Sequence, residues 1–498
     1  MNKLLVVLII FGSILVPTNA QIEKYIIAAV THSNSSSNYG KPQILLTSIF
    51  SDGIYDWGKD KTLKLNSEGS NIQDVTLLDD KEGGVYILYT NELFGGDMNI
   101  AIRRISPKGI ELFGDSKNPV VYISKSKNIE KNPKAIVLED GSLIIAYEVH
   151  YLSNRDIDIA AARISKTGTK IWNSNIWVSN SSNKKEKLSS LTSDGRGGAV
   201  LVVETSSVEL GQVDGDIIAN HIDIAGKLGW DGNSTLPINV AASKHIERNA
   251  TVASNGNGGV VVAFEVEYTS GNKVSDVDIF AQSISAIGKK LWGESPIVVS
   301  SATSVREYEP VLAADKEGIT VAFEMLVPVN NIFTQMIGVQ RIDLNGKSVW
   351  NEGKKAKYIS LSKKICEKPS VFPDGVGGAF FLFEVYDSST QDRDIYAQRL
   401  NLDGSDMWGD ALPEPIISSN SSIEQNLNAI VVKNNALVVA AIRTVNLNLP
   451  NKQEPNRSVV IQKITLDGTY PWKEIDAPIT LVFDKDMDKK ISIINLKN

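Results

Sequence analysis

Hydrophobic residues along this chain recur in short runs that are separated by polar, glycine-rich segments. Around residue 250 the runs are NATVAS (249–254), VVVAFEV (260–266), DVDIFAQSIS (276–285) and PIVVS (296–300). The run at 260–266 is largely apolar at both odd and even positions and rich in β-branched residues, which is typical of a strand buried on both faces. None of the runs has a helical period of useful length. The pattern therefore predicts four short strands that form an antiparallel meander.

An aromatic residue marks the same place in every copy of this unit. The markers are Trp57, Phe113, Trp172, Trp230, Trp292, Trp350, Trp408 and Trp472. They are separated by 56, 59, 58, 62, 58, 58 and 64 residues, so the unit repeats about eight times. A period of this size indicates a solenoid, a propeller or another array. Glycine-rich turns such as Asn255–Gly259 supply the positive φ angles that tight hairpins require.

Eight such units predict an all-β protein, an eight-bladed β-propeller of four-stranded antiparallel blades. Radial packing of the blades leaves only short strand edges exposed. A seven-bladed ring with irregular terminal strands is one alternative. An extended β-solenoid is another, although its repeats are usually much shorter.

The two ends of the repeat predict how the ring closes. Residues 25–31 (YIIAAVT) match the second strand of a unit, and no first strand precedes them. Residues 477–483 (APITLVF) match a fourth strand, and residues 489–496 (KKISIINL) add one strand more. We therefore expect the last strand to enter the first blade as its inner strand.

The first twenty residues have the pattern of a signal peptide. A basic start at Lys3 precedes the apolar run 4–16, and small residues end at Ala20. We expect cleavage before Gln21 and a single propeller domain over residues 21–498. The expected location is outside the cell or on its surface, with the periplasm as an alternative. No later segment is apolar for long enough to predict a membrane span.

Charge and cysteine content narrow the possible partners. The formal net charge is −7, and removal of Lys3 with the leader makes it −8. This balance argues against a broad nucleic-acid-binding surface, which needs a basic stripe. The single cysteine, Cys366, excludes an intramolecular disulfide, and we interpret it as a buried, inert thiol. A monomer is expected.

Acidic residues recur where the second-to-third loops and the crossovers between units should meet. The predicted binding residues are Glu148, Asp156, Asp158, Glu204, Asp214, Asp216, Glu265, Asp276, Asp278, Glu307, Glu324, Glu384, Asp392 and Asp394. Crossover glutamates accompany them at Glu130, Glu186, Glu247, Glu307, Glu367 and Glu424. Residues two apart on a strand face the same way, so each Asp-x-Asp pair points both carboxylates at one spot.

Two interpretations of these acids remain open. Hard oxygen ligands of this kind suit a weak extracellular calcium site. Alternatively, the aspartates cap loops and pair with the recurring arginines, while the glutamates accept hydrogen bonds from neighbouring backbone. Those arginines are Arg104, Arg163, Arg341 and Arg399. The presence of the motif in nearly every unit favours the structural interpretation.

The remaining candidate chemistry is sparse. The marker tryptophans could stack on sugars, but their fixed place after a glycine turn favours packing between blades. Trp177 lies outside this pattern. The four histidines have no metal-ligand spacing, and the sequence contains no recognisable catalytic motif. We predict no catalytic residue; Glu307, Tyr308 and Glu309 are the best local departure from the repeat.

The repeat resembles a known class of propeller. DGVGGAFFLFEV (374–385) and DRDIYAQRLNLDGSDMWGDALPEPI (392–416) resemble repeats of large secreted or surface proteins from Bacteroidetes-like bacteria. The resemblance extends over residues 22–496 and implies a propeller fold and an extracellular address, with no general activity. The turns IDLNGKSVW (342–350) and LDGSDMW (402–408) are similar to the Asp-box of sialidase-type propellers, which is structural in that family. The sialidase catalytic set has no matching positions here.

Three functions follow from these observations. The leading hypothesis is a secreted or cell-surface binding propeller that presents an acidic loop face to a protein or glycan partner. One alternative is a glycoside-processing, sialidase-like enzyme with its site at the central channel, which rests on fold analogy alone. The other is a structural surface protein without a ligand.

Overall fold

A computed structural model describes residues 24–496 of the protein, apart from several short segments. These segments are residues 33–41, 51–54, 58–61, 68, 94, 115–118, 154–155, 183, 208–214, 231–235, 272, 330–331, 351–355, 360, 362–363, 409–412, 419–421, 433–434, 446–455, 473–477 and 482–486. The predicted signal peptide lies outside the described residues, and so does Asp214. In the described part of the chain, no helix is long and apolar enough to cross a membrane.

The described residues form 32 strands, which group into eight four-stranded antiparallel blades. Blade 1 contains β1 (Lys24–His32), β2 (Pro42–Phe50) and β3 (Leu63–Asn66), together with the last strand, β32 (Met487–Leu496). Blade 2 contains β4 (Asn71–Asp79), β5 (Val85–Glu92), β6 (Met98–Ile105) and β7 (Val121–Tyr122). Blade 3 contains β8 (Ile129–Val137), β9 (Leu143–His150), β10 (Ile157–Ile164) and β11 (Ile176–Ser179). Blade 4 contains β12 (Lys184–Ser193), β13 (Ala199–Ser207), β14 (Gly215–Ile222) and β15 (Ile238–Ala241).

The second half of the chain repeats the same order. Blade 5 contains β16 (Ile246–Ser254), β17 (Val260–Ser270), β18 (Lys273–Ile284) and β19 (Ile297–Ser300). Blade 6 contains β20 (Arg306–Asp315), β21 (Gly318–Val329), β22 (Ile332–Asp343) and β23 (Lys357–Ile359). Blade 7 contains β24 (Ile365–Pro373), β25 (Ala379–Asp387), β26 (Asp392–Leu400) and β27 (Glu414–Ile417). Blade 8 contains β28 (Ser422–Val431), β29 (Leu437–Val445), β30 (Asn456–Ile464) and β31 (Ile479–Leu481).

Hydrophobic cores lie between neighbouring blades. Between blades 4 and 5, Val202 and Ala219 share a core with Val262 and Phe264. Because every blade has a neighbour on each face, its second strand is buried on both sides, as the sequence predicts: every side chain from Val260 to Glu267 in β17 is buried. The described residues form eight such cores, one at each junction between blades. The predicted all-β propeller is confirmed.

The ring closes through the last strand of the chain. β32 pairs antiparallel with β1, and the partners include Ile27 and Ile493. Ile493 is buried in the core that joins blades 8 and 1, and Ser492 Oγ accepts the Leu77 N–H of blade 2 at 3.2 Å. The predicted inner-strand role of the C-terminal strand is therefore confirmed.

The marker tryptophans pack between blades. Trp350 is 2% exposed, and its indole N–H donates to the Leu402 carbonyl of the next blade at 2.9 Å. Gly404 lies against this ring with a φ of 81°, and a Cβ at that position would come within 2.8 Å of the indole. Equivalent N–H donation to the next blade occurs from Trp57, Trp172, Trp292 and Trp408. Trp177 is 43% exposed and takes no part in this arrangement.

The recurring arginines lie at the hairpin-turn end, where the first and second strands of a blade are joined. Arg399 binds Asp374 of its own blade at 2.7 Å and donates to the Leu466 carbonyl of the next blade at 2.8 Å. Three further pairs are equivalent: Arg104–Asp80, Arg163–Asp140 and Arg341–Asp315. The expected pairing of these arginines with the Asp-x-Asp motifs is therefore wrong. Asp158 and Arg163 sit at opposite ends of β10, about 16 Å apart at roughly 3.3 Å per residue.

Candidate functional site

The predicted acidic residues lie at the crossover end of the ring, where each crossover enters the next inner strand. There the third strand of one blade pairs in parallel with the inner strand of the next, for example at Ile157 and Lys185. The same contact recurs at Gly215–Ile246, Val277–Arg306 and Arg393–Ile423. It brings the Asp-x-Asp motif of one blade beside the crossover glutamate of the next. Sequence reasoning missed this contact, because it depends on how two meanders stack.

The glutamates of the second strands connect neighbouring blades. Glu384 is 0% exposed, and its Oε1 accepts the backbone N–H of Asn426 in blade 8 at 2.6 Å. Its Oε2 accepts from Lys368 at 2.9 Å and from Arg393 at 2.8 Å. The equivalent backbone bonds are Leu188 to Glu148, Ala250 to Glu204, Glu309 to Glu265 and Lys368 to Glu324. These glutamates therefore join each blade to the next through a backbone amide.

A second set of acids, which we call the junction acids, combines each Asp-x-Asp pair with the crossover glutamate of the next blade. Glu307 is 0% exposed, and its Oε1 accepts from Ser300 Oγ at 2.9 Å. The pKa of Glu307 is raised to about 8, chiefly by burial and in smaller part by the nearby Asp278 and Asp276. Burial likewise raises the pKa of Glu186 to about 7. These junctions favour a proton or another cation.

Two other junctions avoid an unpaired crossover glutamate, one by pairing it with an arginine and one by replacing it. Between blades 7 and 8, Arg443 binds the crossover glutamate Glu424 at 2.6 Å. Between blades 6 and 7, the same three positions hold Thr334, Met336 and Cys366. Cys366 faces Val385 as Glu130 faces Val149, so the cysteine replaces the crossover glutamate. The glutamate predicted for that place, Glu367, lies one residue later and binds Arg393.

Most of the predicted binding residues are buried beneath the surface. The buried ones are Glu148, Asp156, Asp158, Glu265, Asp278, Glu307, Glu384 and Asp394. The half-buried ones are Glu204, Asp216, Asp276, Glu324 and Asp392. Asp216 binds Lys184 at 3.0 Å. Most of these residues therefore lie inside the blade junctions, while Glu324 and Glu384 also line a cavity at the centre of the ring.

The open space at this end of the ring is a central cavity of about 560 Å³. β-Bulges in the inner strands supply its wall, and several bulge residues have a left-handed backbone, such as Glu309 with a φ of 52°. The lining residues that carry charge or an amide are Asp74, Asn132, Lys134, Glu309, Glu324, Lys368, Glu384 and Asn426. Pro133, Pro369 and aliphatic side chains fill the spaces between them. The cavity is therefore both polar and rigidly framed.

Sequence reasoning identified only part of this cavity. Of the three residues that depart from the repeat, Glu309 lines the cavity and is exposed, whereas Glu307 is buried in a blade junction. The signal that could have found the rest is a polar residue two positions after the crossover glutamate, as in Glu130-Lys131-Asn132.

Electrostatics differ from group to group in the cavity. Burial raises the pKa of Glu324, and Glu309 and Glu367 raise it further, although hydrogen bonds from Lys368 and Gln335 oppose this. Burial lowers the pKa of Lys134. The cavity thus holds acidic and basic groups whose pKa values are shifted by burial within one small space.

No family model matches this chain. No curated protein matches it either. Among solved structures, it is similar to the polysaccharide lyase Uly1 at 11% identity and a TM-score of 0.45, over 76% of this chain and 88% of that one. It is also similar to the β-propeller domain of the trilobed protease from Pyrococcus furiosus, at 11% identity and a TM-score of 0.41, over 81% and 97%. The Hadza microbial sialidase Hz136 matches at 12% identity and a TM-score of 0.36, over 84% and 87%.

A second cavity of about 510 Å³ lies between blades 4 and 5. It is lined in part by Phe264, Phe280 and Glu247, and by His245 and Tyr268, whose ring centroids are 4.5 Å apart. This cavity belongs to one junction, whereas the central cavity collects residues from several blades around the ring.

Proposed function

We propose that the protein is a secreted or cell-surface binding propeller that takes a glycan in its central cavity. The observation that carries the proposal is the mixture of hydrogen-bond acceptors and donors on one rigid wall, represented by Glu309, Lys134 and Lys368. Sugar hydroxyls both donate and accept hydrogen bonds, so they match such a wall. The volume of about 560 Å³ lies within the range of about 300–1,000 Å³ typical of small-molecule sites and suits one or two sugar rings.

Glu309 and Lys134 are the residues whose loss should weaken binding most directly. Glu309 is exposed within the cavity wall, so a ligand hydroxyl can reach its carboxylate. Lys134 is half-buried, and its ammonium is poorly solvated. Because its hydration is already incomplete, a ligand oxygen would compete with little water at this position.

Glycan-array binding by residues 21–498 tests this proposal. We expect binding to a restricted set of glycans, weakened about tenfold or more by Glu309→Gln or Lys134→Gln through the loss of a charged hydrogen bond. Glu139→Gln, at an exposed position of the hairpin-turn end, is the matched control and should leave binding unchanged.

Two results would overturn the proposal. Absence of binding across the array would exclude a glycan ligand and would leave the hypotheses of a protein partner or of a structural surface protein. Loss of binding in Tyr268→Ala, with Glu309→Gln unaffected, would transfer the site to the cavity between blades 4 and 5.

A second candidate is a glycoside-processing activity at the same place. It is favoured by two neighbouring carboxyl groups in one cavity, of which Glu324 has a raised pKa. Glycoside hydrolysis commonly uses one protonated and one ionised carboxyl group. However, both oxygens of Glu324 already accept hydrogen bonds, from Lys368 N–H at 2.7 Å and Gln335 at 2.5 Å. A panel of glycosidase substrates tests this candidate: turnover that disappears in both Glu309→Gln and Glu324→Gln would support it over simple binding.

A further inference from the structure

Three carboxylates meet at the junction between blades 3 and 4. Asp156 directly precedes the third strand of blade 3, Asp158 is the second residue of that strand, and Glu186 belongs to the inner strand of blade 4. One oxygen from each residue lies within 4.8 Å of the other two, and no other group of this kind occurs among the described residues. Asp156 and Asp158 are 7% exposed and Glu186 is 1% exposed. The three charges are therefore gathered in a nearly dry space.

The protein supplies little to balance these charges. Glu186 Oε1 accepts from Ser179 Oγ at 3.1 Å and from the Ser181 N–H at 2.9 Å. Its other oxygen, Oε2, and Asp158 Oδ1 have no hydrogen-bond partner within the described part of the chain. Among the described side chains, no lysine or arginine pairs with Asp158 or Glu186. A buried carboxylate oxygen without a partner is costly, so these two oxygens are suited to bind a cation.

The fold itself does not require acids at these positions. The hairpins of blades 6 and 7 have the same register as those of blades 3 and 4, and they place Thr334, Met336 and Cys366 at the equivalent positions. Cys366 is 0% exposed there and belongs to the core between the two blades. Because one junction closes with these residues, loop capping alone does not account for the acidic trio.

We propose that Asp156, Asp158 and Glu186 bind one Ca²⁺ ion between blades 3 and 4. All the available ligand atoms are hard oxygens, with no imidazole or thiolate among them, which suits Ca²⁺. Water completes the coordination, since three carboxylates supply only part of the six to eight oxygens that Ca²⁺ takes. The ion joins two blades, and none of the three residues lines the central cavity. This site is independent of the proposed glycan binding.

Melting experiments on residues 21–498 test the site. The protein is stripped with EGTA, dialysed, and melted with Ca²⁺ or Mg²⁺ added from 10 µM to 10 mM. We expect Ca²⁺ to raise the melting temperature, with the rise beginning at about 10⁻⁴–10⁻³ M or below, and Mg²⁺ to act more weakly. Terbium luminescence gives a direct binding signal, because Tyr151 hydrogen-bonds to Asp158 and can sensitise a bound lanthanide.

Two variants assign the ion to this trio. Asp158→Asn and Glu186→Gln should each weaken Ca²⁺ binding by about tenfold or more, because affinity depends on the number of charged ligands. In EGTA, the same variants should melt at or above the temperature of the parent protein, because each removes a repelling charge. Asp278→Asn, the equivalent position of blade 5, is the matched control and should keep the full response to Ca²⁺.

Either of two results overturns the proposal. One is an identical melting temperature in EGTA and in 10 mM Ca²⁺ together with no terbium signal. The other is an unchanged Ca²⁺ response in both Asp158→Asn and Glu186→Gln, which would place the ion elsewhere. If one variant fails to fold, the other still decides the outcome.

Discussion

The junction between blades 3 and 4 carries Asp156, Asp158 and Glu186 where the junction between blades 6 and 7 carries Thr334, Met336 and Cys366. The registers within the hairpins are the same, but Thr334 and Met336 are half-buried, whereas Cys366 and the three acids are buried. One junction thus carries a buried thiol in place of the crossover glutamate, whereas the other gathers three carboxyl groups, and Asp158 Oδ1 and Glu186 Oε2 have no hydrogen-bond partner among the described residues.

This difference separates what the fold needs from what it permits. A propeller junction requires a core, a paired inner strand and satisfied backbone amides. Glu384 and its equivalents serve the last need, since each accepts an N–H from the next blade. The junction acids also accept backbone N–H groups, as Glu186 does from Ser181, but the second oxygen of Glu186 has no partner among the described residues and is open to a ligand.

Opening the ring should have the largest effect, because it removes the frame on which every junction depends. Deletion of residues 488–498 takes away most of β32, including buried Ile493 and the Ser492–Leu77 hydrogen bond. We expect the melting temperature to fall by about 10 °C or more, measured by differential scanning calorimetry. An unaltered melting temperature in the truncated protein would show that β32 does not close the ring.

Loss of a fully paired acid should have the next largest effect. In Glu384→Ala, the Asn426 amide and the Arg393 guanidinium lose a buried partner. We expect a loss of about 3 kcal/mol in the free energy of unfolding, measured with urea. Glu139→Ala, at an exposed position, is the control and should change it by less than about 0.5 kcal/mol. A loss as small as that of the control would mean that the second-strand glutamates are dispensable.

A junction acid without a basic partner should respond to pH in the opposite direction from a paired acid. The folded-state pKa of Glu307 is about 8, above its ordinary value of 4.5, so the native protein holds a proton that the unfolded chain releases between these two values. The contribution of Glu307 to stability is therefore fully present below about pH 4.5 and is lost as the pH rises through 8. Between pH 5 and 9 we expect the free energy of unfolding of the parent protein to fall by on the order of 2 kcal/mol relative to that of Glu307→Gln. One pKa unit corresponds to about 1.4 kcal/mol, and relaxation of the structure around the charged carboxylate reduces the total. Equal slopes of unfolding free energy against pH for the two proteins would contradict this.

The smallest effect concerns the junction between blades 6 and 7, where we expect the Cys366 thiol to react only slowly. Burial raises the pKa of the Cys366 thiol to about 11, and the side chain is 0% exposed. A thiol reagent such as DTNB should react with the native protein at pH 8 about 100-fold more slowly than with the protein in urea. Rapid reaction of the native protein would show that the junction between blades 6 and 7 opens readily.

Much of the architecture could be predicted from the sequence because the unit is repeated. The run at 260–266 predicts a strand that is buried on both faces, and the additional strand at 489–496 indicates how the ring closes. Cys366 was expected to be buried, and it is.

The site was harder to predict, because its geometry arises between blades. The parallel contact of Ile157 with Lys185 and the bulge at Glu309 leave no mark in a period-two pattern. We predicted that Arg163 pairs with the Asp-x-Asp motif, but it binds Asp140. The linear pattern does not show at which end of a strand the partner of an arginine lies. The aligned position of Cys366 was also hidden, because Glu367 beside it matched the expected residue type.

The pairing of β1 with β32 also sets the timing of folding. About 450 residues lie between these two strands, so the ribosome needs roughly 20–90 s to make the partner that β1 requires. During that interval the first blade has an open inner edge, while later blades can already stack on their neighbours. Once β32 has been made, it pairs with β1 and completes blade 1, so the ring closes only after the rest of the chain is present.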